Sequence, residues 1–163
     1  MKKVSFILVV LLCVFLTGCN NEFAKEDYNS DAAIANTSDH YAKESSVFNQ
    51  HGEKYVLTVS KFDGRETLWS DTFRADRDMD IEFSLRLSNG QAKVVHVDED
   101  GNVTTILECV PETSTDGSVT ETVSMKQGEN RLKIVGYDCE DMELTMVLPE
   151  ERWAENLSQS NLI

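Results

Sequence analysis

Between residues 79 and 88 the chain alternates without interruption. Met79, Ile81, Phe83, Leu85 and Leu87 are apolar, and Asp80, Glu82, Ser84, Arg86 and Ser88 between them are polar. A period of two puts one set on each face of a strand, so this segment covers a core with one face and meets water with the other. From residue 54 to residue 148, runs rich in Val, Leu, Thr, Phe and Tyr recur at roughly ten-residue spacing between turn clusters, with no sustained helical period. That rhythm predicts an all-β domain, a single antiparallel β-sandwich. About eight strands are expected, over 54–62, 65–73, 79–88, 91–98, 102–110, 118–126, 131–137 and 142–148.

Two turns decide what the polar residues beside them do. Asn89-Gly90, after the alternating strand, supplies residues that tolerate positive φ in a hairpin. A two-residue turn pairs Leu85 with Val94 and sets His96 opposite Phe83 on the core face. A three-residue turn with Gly90 in a bulge pairs Phe83 with Val95 and Ile81 with Val97. The second is favoured, because a core histidine needs a buried partner that the sequence does not name. In either register His96 reads as structural or solvated, not catalytic. The second turn, Asp98-Glu99-Asp100-Gly101-Asn102, spaces oxygen donors as calcium loops do, but Val103 and Cys109 stand where such a loop wants glycine and a bidentate glutamate. A hairpin turn without a tight metal is expected there.

Upstream the texture changes. Residues 20–52 are rich in Asn, Ser, Asp, Ala, Lys and Glu and show no period. They predict a flexible linker with a reach on the order of 30 Å. Ala32, Ala33, Ile34 and Ala35 offer one helical turn, too short to persist alone. His40 and His51, isolated in polar surroundings, read as solvated. Before the linker, Lys2 and Lys3 lead into roughly 13 apolar residues, short of the roughly 20 that a spanning helix needs. Small residues follow, which is the layout of a secretory signal peptide. Its end, Leu16-Thr17-Gly18-Cys19, resembles the lipobox of bacterial lipoproteins. The resemblance implies that 1–18 is removed and that Cys19 becomes an acylated N-terminus. The acyl chains, at about 0.8 kcal/mol per buried methylene, would hold the protein to the extracytoplasmic face of the cell membrane. The expected organisation is a signal peptide over 1–18, a lipidated cysteine and linker over 19–52, a sandwich over 53–149 and a tail over 150–163. In the tail, Trp153 and Leu157 would share one helical face.

The formal charge is -14, and loss of Lys2 and Lys3 makes it -16 (-14 minus 2, the new amine aside). Such a surface repels nucleic acid and anionic headgroups, leaving the lipid to hold the membrane. Cys13 leaves with the signal and Cys19 carries the lipid, so Cys109 and Cys139 remain. An exported compartment permits a bond between them. Each falls near a strand end, however, where a lone cysteine packs as a small hydrophobe, and two free thiols are expected. No Cys or His spacing suggests zinc, and no serine or cysteine lies in a nucleophile motif. No catalytic residue, metal or cofactor is assigned.

Phe62-Asp63-Gly64, the turn at Asp98, and above all Gly128-Glu129-Asn130-Arg131-Leu132-Lys133-Ile134-Val135-Gly136 look like stretches of small Gram-positive lipoproteins. The glycine-glutamate-asparagine entry into a late strand is similar to jelly-roll sandwiches of the galactose-binding type. The likeness covers 54–148 and transfers no binding residues, since fold does not carry function. The expected role is a non-catalytic binding module for a glycan or a protein. Trp69 and Phe73, which share a strand face with Asp71, and Tyr137 near the other end are its candidate contacts. The alternative is an interaction or regulatory lipoprotein that captures a cationic partner through its acidic surface, and such binding would weaken with salt.

Overall fold

A computed structural model describes residues 19–114 and 117–150. The signal peptide over 1–18 and the tail with Trp153 and Leu157 lie outside the described residues.

Two twenty-residue strands organise the fold. β3 (Lys54–Phe73) and β8 (Gly128–Val147) pair antiparallel from Lys54↔Val147 to Phe73↔Gly128. Each was expected as two strands. The clusters that read as turns instead bend a strand that continues, with Gly64, Asp138 and Asp141 at φ of 109°, 53° and 48°. At Gly64 the register slips, and a Cβ would lie 2.1 Å from the carbonyl oxygen of His40. Only glycine fits both the angle and the approach.

The bends divide the ladder into two layers. The first half of β3 and the second half of β8 lie with β2 (Val47–His51), β4 (Arg77–Arg86) and β7 (Val119–Met125). The second half of β3 and the first half of β8 lie with β1 (His40–Glu44), β5 (Asn89–Val97) and β6 (Val103–Cys109). The domain is an antiparallel β-sandwich. One end is closed by the bends and by the crossing from β4 to β5. The other is open and carries the loops between β3 and β4, β5 and β6, and β7 and β8. Between the layers sit Leu57, Phe62, Trp69, Leu132, Ile134, Leu144 and Met146, together with all five apolar residues of the alternating strand.

Asn89-Gly90 does not form the expected hairpin. β4 pairs with β7 and β8, and β5 with β6 and β8, so neither anticipated register exists. Gly90, at φ 83°, packs against the backbone of Asp138, where a Cβ would stand 2.3 Å from the carbonyl oxygen. The chain crosses between layers there. Two amphipathic strands bury their apolar faces as well across a sandwich as side by side, and alternation alone does not distinguish the two.

The expected linker is folded. α1 (Cys19–Tyr28) and α2 (Asp31–Ala35) cover the outer face of the second layer. There Tyr28 and Ile34 meet Val95, Val97 and Val135 in a second apolar cluster. Val94 through Val97 do not alternate in polarity because both faces of β5 are buried. Much of the grip is polar. Asp27 pairs with Arg65, and Asp39 accepts from the Thr67 hydroxyl at 2.9 Å. Arg131 donates to the carbonyls of Ala35 and Asn36 at 2.9 and 3.2 Å. Lys133 reaches the same Asn36 carbonyl at 2.8 Å and Asp39 at 3.2 Å. Unpaired carbonyls at the end of a helix carry partial negative charge, which suits these cations. Burial lowers the pKa of the fully enclosed Lys133 from its ordinary value, and Asp39 opposes that shift. Cys109 and Cys139 are both free and buried.

Candidate functional site at the open end

Three buried polar side chains, His96, Asp98 and Asn130, lie at the open end. His96 on β5 is 4% exposed, and Asn130 near the start of β8 is fully enclosed. Asn130 is fixed on every side. Its Nδ2 donates to the carbonyls of Lys126 and Gly128 at 2.7 and 2.8 Å, and its Oδ1 accepts from the backbone N–H of Lys126 at 2.8 Å. His96 Nε2 lies 2.8 Å from that same oxygen. An oxygen only accepts, so His96 donates, and the neutral ring keeps its proton on Nε2 with Nδ1 left as an acceptor. This is the buried partner that the sequence reading could not name: the favoured register, which set His96 off the core face, is corrected with it, and of the two roles expected for His96, structural or solvated, the structure shows the structural one.

Asp98, 8% exposed, closes β5. Its turn is a hairpin turn: Gly101 N–H donates to the Asp98 carbonyl at 3.1 Å, and both carboxylate oxygens accept from Asn102 at 2.8 Å, one from the backbone and one from the side chain. Burial is the largest single influence on this carboxyl and pushes its pKa up. The hydrogen bonds from the Asn102 side chain and from the backbone of Asn102 and Asp100 outweigh it and hold the pKa below the ordinary value. The neighbouring loops are tied as well: Asp76 accepts from Gln127 N–H at 2.8 Å and pairs with Lys126 at 3.1 Å. These contacts, the backbone bond first, lower the Asp76 pKa.

Between β6 and β7 these groups open into a cleft of about 290 Å³. His96, Asp98, Thr104, Glu121, Thr122, Ser124 and Lys126 supply polar groups, and Ile106 and Val123 an apolar strip. Thr122 and Ser124 donate their hydroxyl protons to Asp80 and Asp78, each at 2.6 Å, so they face a ligand mainly as acceptors. The volume is at the lower end of the roughly 300–1,000 Å³ usual for ligand sites. Among the described residues, no three His, Cys, Asp or Glu side chains are grouped to hold a metal ion.

Three of the four residues picked out from the sequence lie at this end. Asp71 is the cross-strand neighbour of Asn130, Phe73 that of Gly128, and Trp69 that of Leu132, which pairs in turn with His96. Trp69 is a core residue, its ring 6.2 Å from that of Phe73. The Phe73 ring is capped by the Arg77 guanidinium at 5.5 Å. Tyr137 is elsewhere, on the helix-covered face, edge-on to Tyr28 at 5.2 Å and donating to Gln91 at 3.0 Å. The sequence reading missed His96 and Asn130 as a pair. The one available signal was the asparagine in Gly128-Glu129-Asn130, taken there as turn chemistry.

No family model matches the chain, and no curated protein matches it closely enough to count as a relative. Solved structures that resemble it include a mutant of the family 29 carbohydrate-binding module CBM29-2 complexed with mannohexaose (11% identity, 69% of this chain, 79% of that chain, TM-score 0.40). A family 29 carbohydrate-binding module (8%, 69%, 76%, 0.40) and another CBM29-2 mutant complexed with cellulohexaose (9%, 69%, 78%, 0.39) are similar to the same degree. At these values the ligand of this chain has to be argued from its own cleft.

Proposed function

We propose that this chain is a membrane-anchored extracytoplasmic lipoprotein, held by acylated Cys19, whose sandwich is a non-catalytic module that binds a neutral glycan in the open-end cleft. One observation carries the reading: a buried histidine, oriented by an asparagine that has no hydrogen-bonding capacity to spare, lines an open cleft. Burying such groups costs stability unless each is paired, and at this end pairing leaves His96 Nδ1 and the lone pairs of Thr122 and Ser124 as fixed acceptors beside an apolar strip. Sugar hydroxyls are donors, and sugar ring faces are apolar. The volume suits a short segment, so weak binding is expected.

The carboxylates of Asp98 and Glu121 favour a second reading, capture of a cationic peptide. Calorimetry separates the two. Mannohexaose and neutral oligosaccharides released from bacterial cell walls are titrated into the protein, with an oligolysine peptide as the contrast. Heat from a neutral oligosaccharide that persists in high salt and is lost in Thr104→Lys, at the exposed cleft mouth, supports the glycan reading. Heat from oligolysine alone, fading with salt, supports the cationic partner.

A further inference from the structure

We infer that the closed end of the sandwich sits directly on the bilayer, with Phe23 and Tyr41 in the headgroup layer of a zwitterionic membrane and the open-end cleft turned away from it. The inference rests on Cys19 being the acylated residue. The helix α1 begins at Cys19, and by Ala24 it is packed against the sandwich, with Asp27 ion-paired to Arg65 and Tyr28 buried on Tyr137. At 1.5 Å per residue, the five steps from Cys19 to Ala24 span about 8 Å, in place of a flexible tether on the order of 30 Å.

The side chains exposed beside this mount fit an interface. Phe23 is 60% and Tyr41 46% exposed, and both line one groove of about 490 Å³ at the closed end, with His40, Ala42 and Asp63. Aromatic side chains are favoured at the boundary between headgroups and hydrocarbon. Charge selects the kind of membrane. Across α1, β1, residues 61–66 and the bend at 138–141, four Lys or Arg stand among nine Asp or Glu, a net of -5 (4 minus 9). A face of this sign is held off anionic lipid but not off an uncharged bilayer surface. The cleft lies at the other end of β3. From Gly64 at the bend to Phe73 is nine residues, on the order of 25 Å at strand rise with the bulge allowed for. The fold itself is then the spacer.

The test uses the acylated full chain in phosphatidylcholine vesicles. Environment-sensitive dyes are attached at Ala42→Cys, on the closed end, and separately at Thr104→Cys, at the cleft mouth, and are quenched by nitroxide lipids. Flotation of the unlabelled protein reports the anchor independently. The expected result is flotation, with quenching at position 42 at least threefold stronger than at 104 and reduced when Phe23→Ser and Tyr41→Ser are added to the labelled Ala42→Cys chain. Flotation with equal quenching at both positions overturns this inference and leaves the anchor standing. Failure to float overturns both.

Discussion

At the residue scale the decisive pair is His96 and Asn130. Asn130 makes four hydrogen bonds at 2.7–2.8 Å inside the open end, and removing its amide leaves buried donors and acceptors without partners. Asn130→Ala is expected to cost about 2–4 kcal/mol in denaturant unfolding. A loss under 0.5 kcal/mol would mean that the network does not hold the cleft. The sequence displayed both residues but not their meeting, because they are 34 positions apart and neither local pattern encodes the other.

The cysteines show the opposite case, in which a local argument suffices. Burial, then the charge of Asp63, pushes the Cys139 thiol up to about 12, and its sulfur donates to the Gln91 carbonyl at 3.1 Å. In the unfolded chain the thiol deprotonates near 9. As pH rises from about 9 toward 12, the unfolded state loses this proton first and is stabilised, so the contribution is intact below 9 and falls by at most about 1.4 kcal/mol per pH unit through that window. Cys139→Ala should flatten this part of the alkaline stability profile. At pH 8 a thiol reagent should find neither Cys109 nor Cys139 in the native protein and both after denaturation. Rapid native labelling of either would contradict their burial.

At the element scale, the strands were legible where one face is wet and illegible where both are covered. The segment 79–88 alternates because Asp80 and Glu82 meet solvent while Ile81 and Phe83 do not. The N-terminal clasp was hidden for a related reason. Its grip comes from a few apolar anchors, chiefly Tyr28 and Ile34, and from Asp27, Asp39 and two carbonyls that receive Arg65, Arg131 and Lys133. A composition that pairs with buried cations looks, in sequence, like a soluble tether. Ile34 is fully buried, so Ile34→Ala should cost about 2–4 kcal/mol, a loss impossible in a true linker. Limited proteolysis gives a second measure: the bonds between residues 24 and 36 should be cut no faster than those of the sandwich. Early cleavage there, with the body left intact, would restore the tether.

At the scale of the whole molecule, the two ends of the sandwich differ in chemistry. The closed end carries Phe23 and Tyr41 beside the proposed anchor, and the open end carries a cleft built on buried polar groups. The fold class was readable because alternation and turn spacing set it. The pairing of β4 and β5 with other strands was not, since it depends on which layer each strand joins. The central claim is that the open-end cleft is the binding site, and nuclear magnetic resonance of the imidazoles tests it most directly. The chain has three histidines; His40 and His51 are exposed and His96 alone is buried beside the cleft. Titration with mannohexaose and with neutral cell-wall oligosaccharides should shift the His96 ring signals, Nδ1 most of all, while those of His40 and His51 stay fixed. Binding registered by calorimetry that leaves His96 unmoved and shifts His40 instead would place the ligand at the closed end and contradict the account.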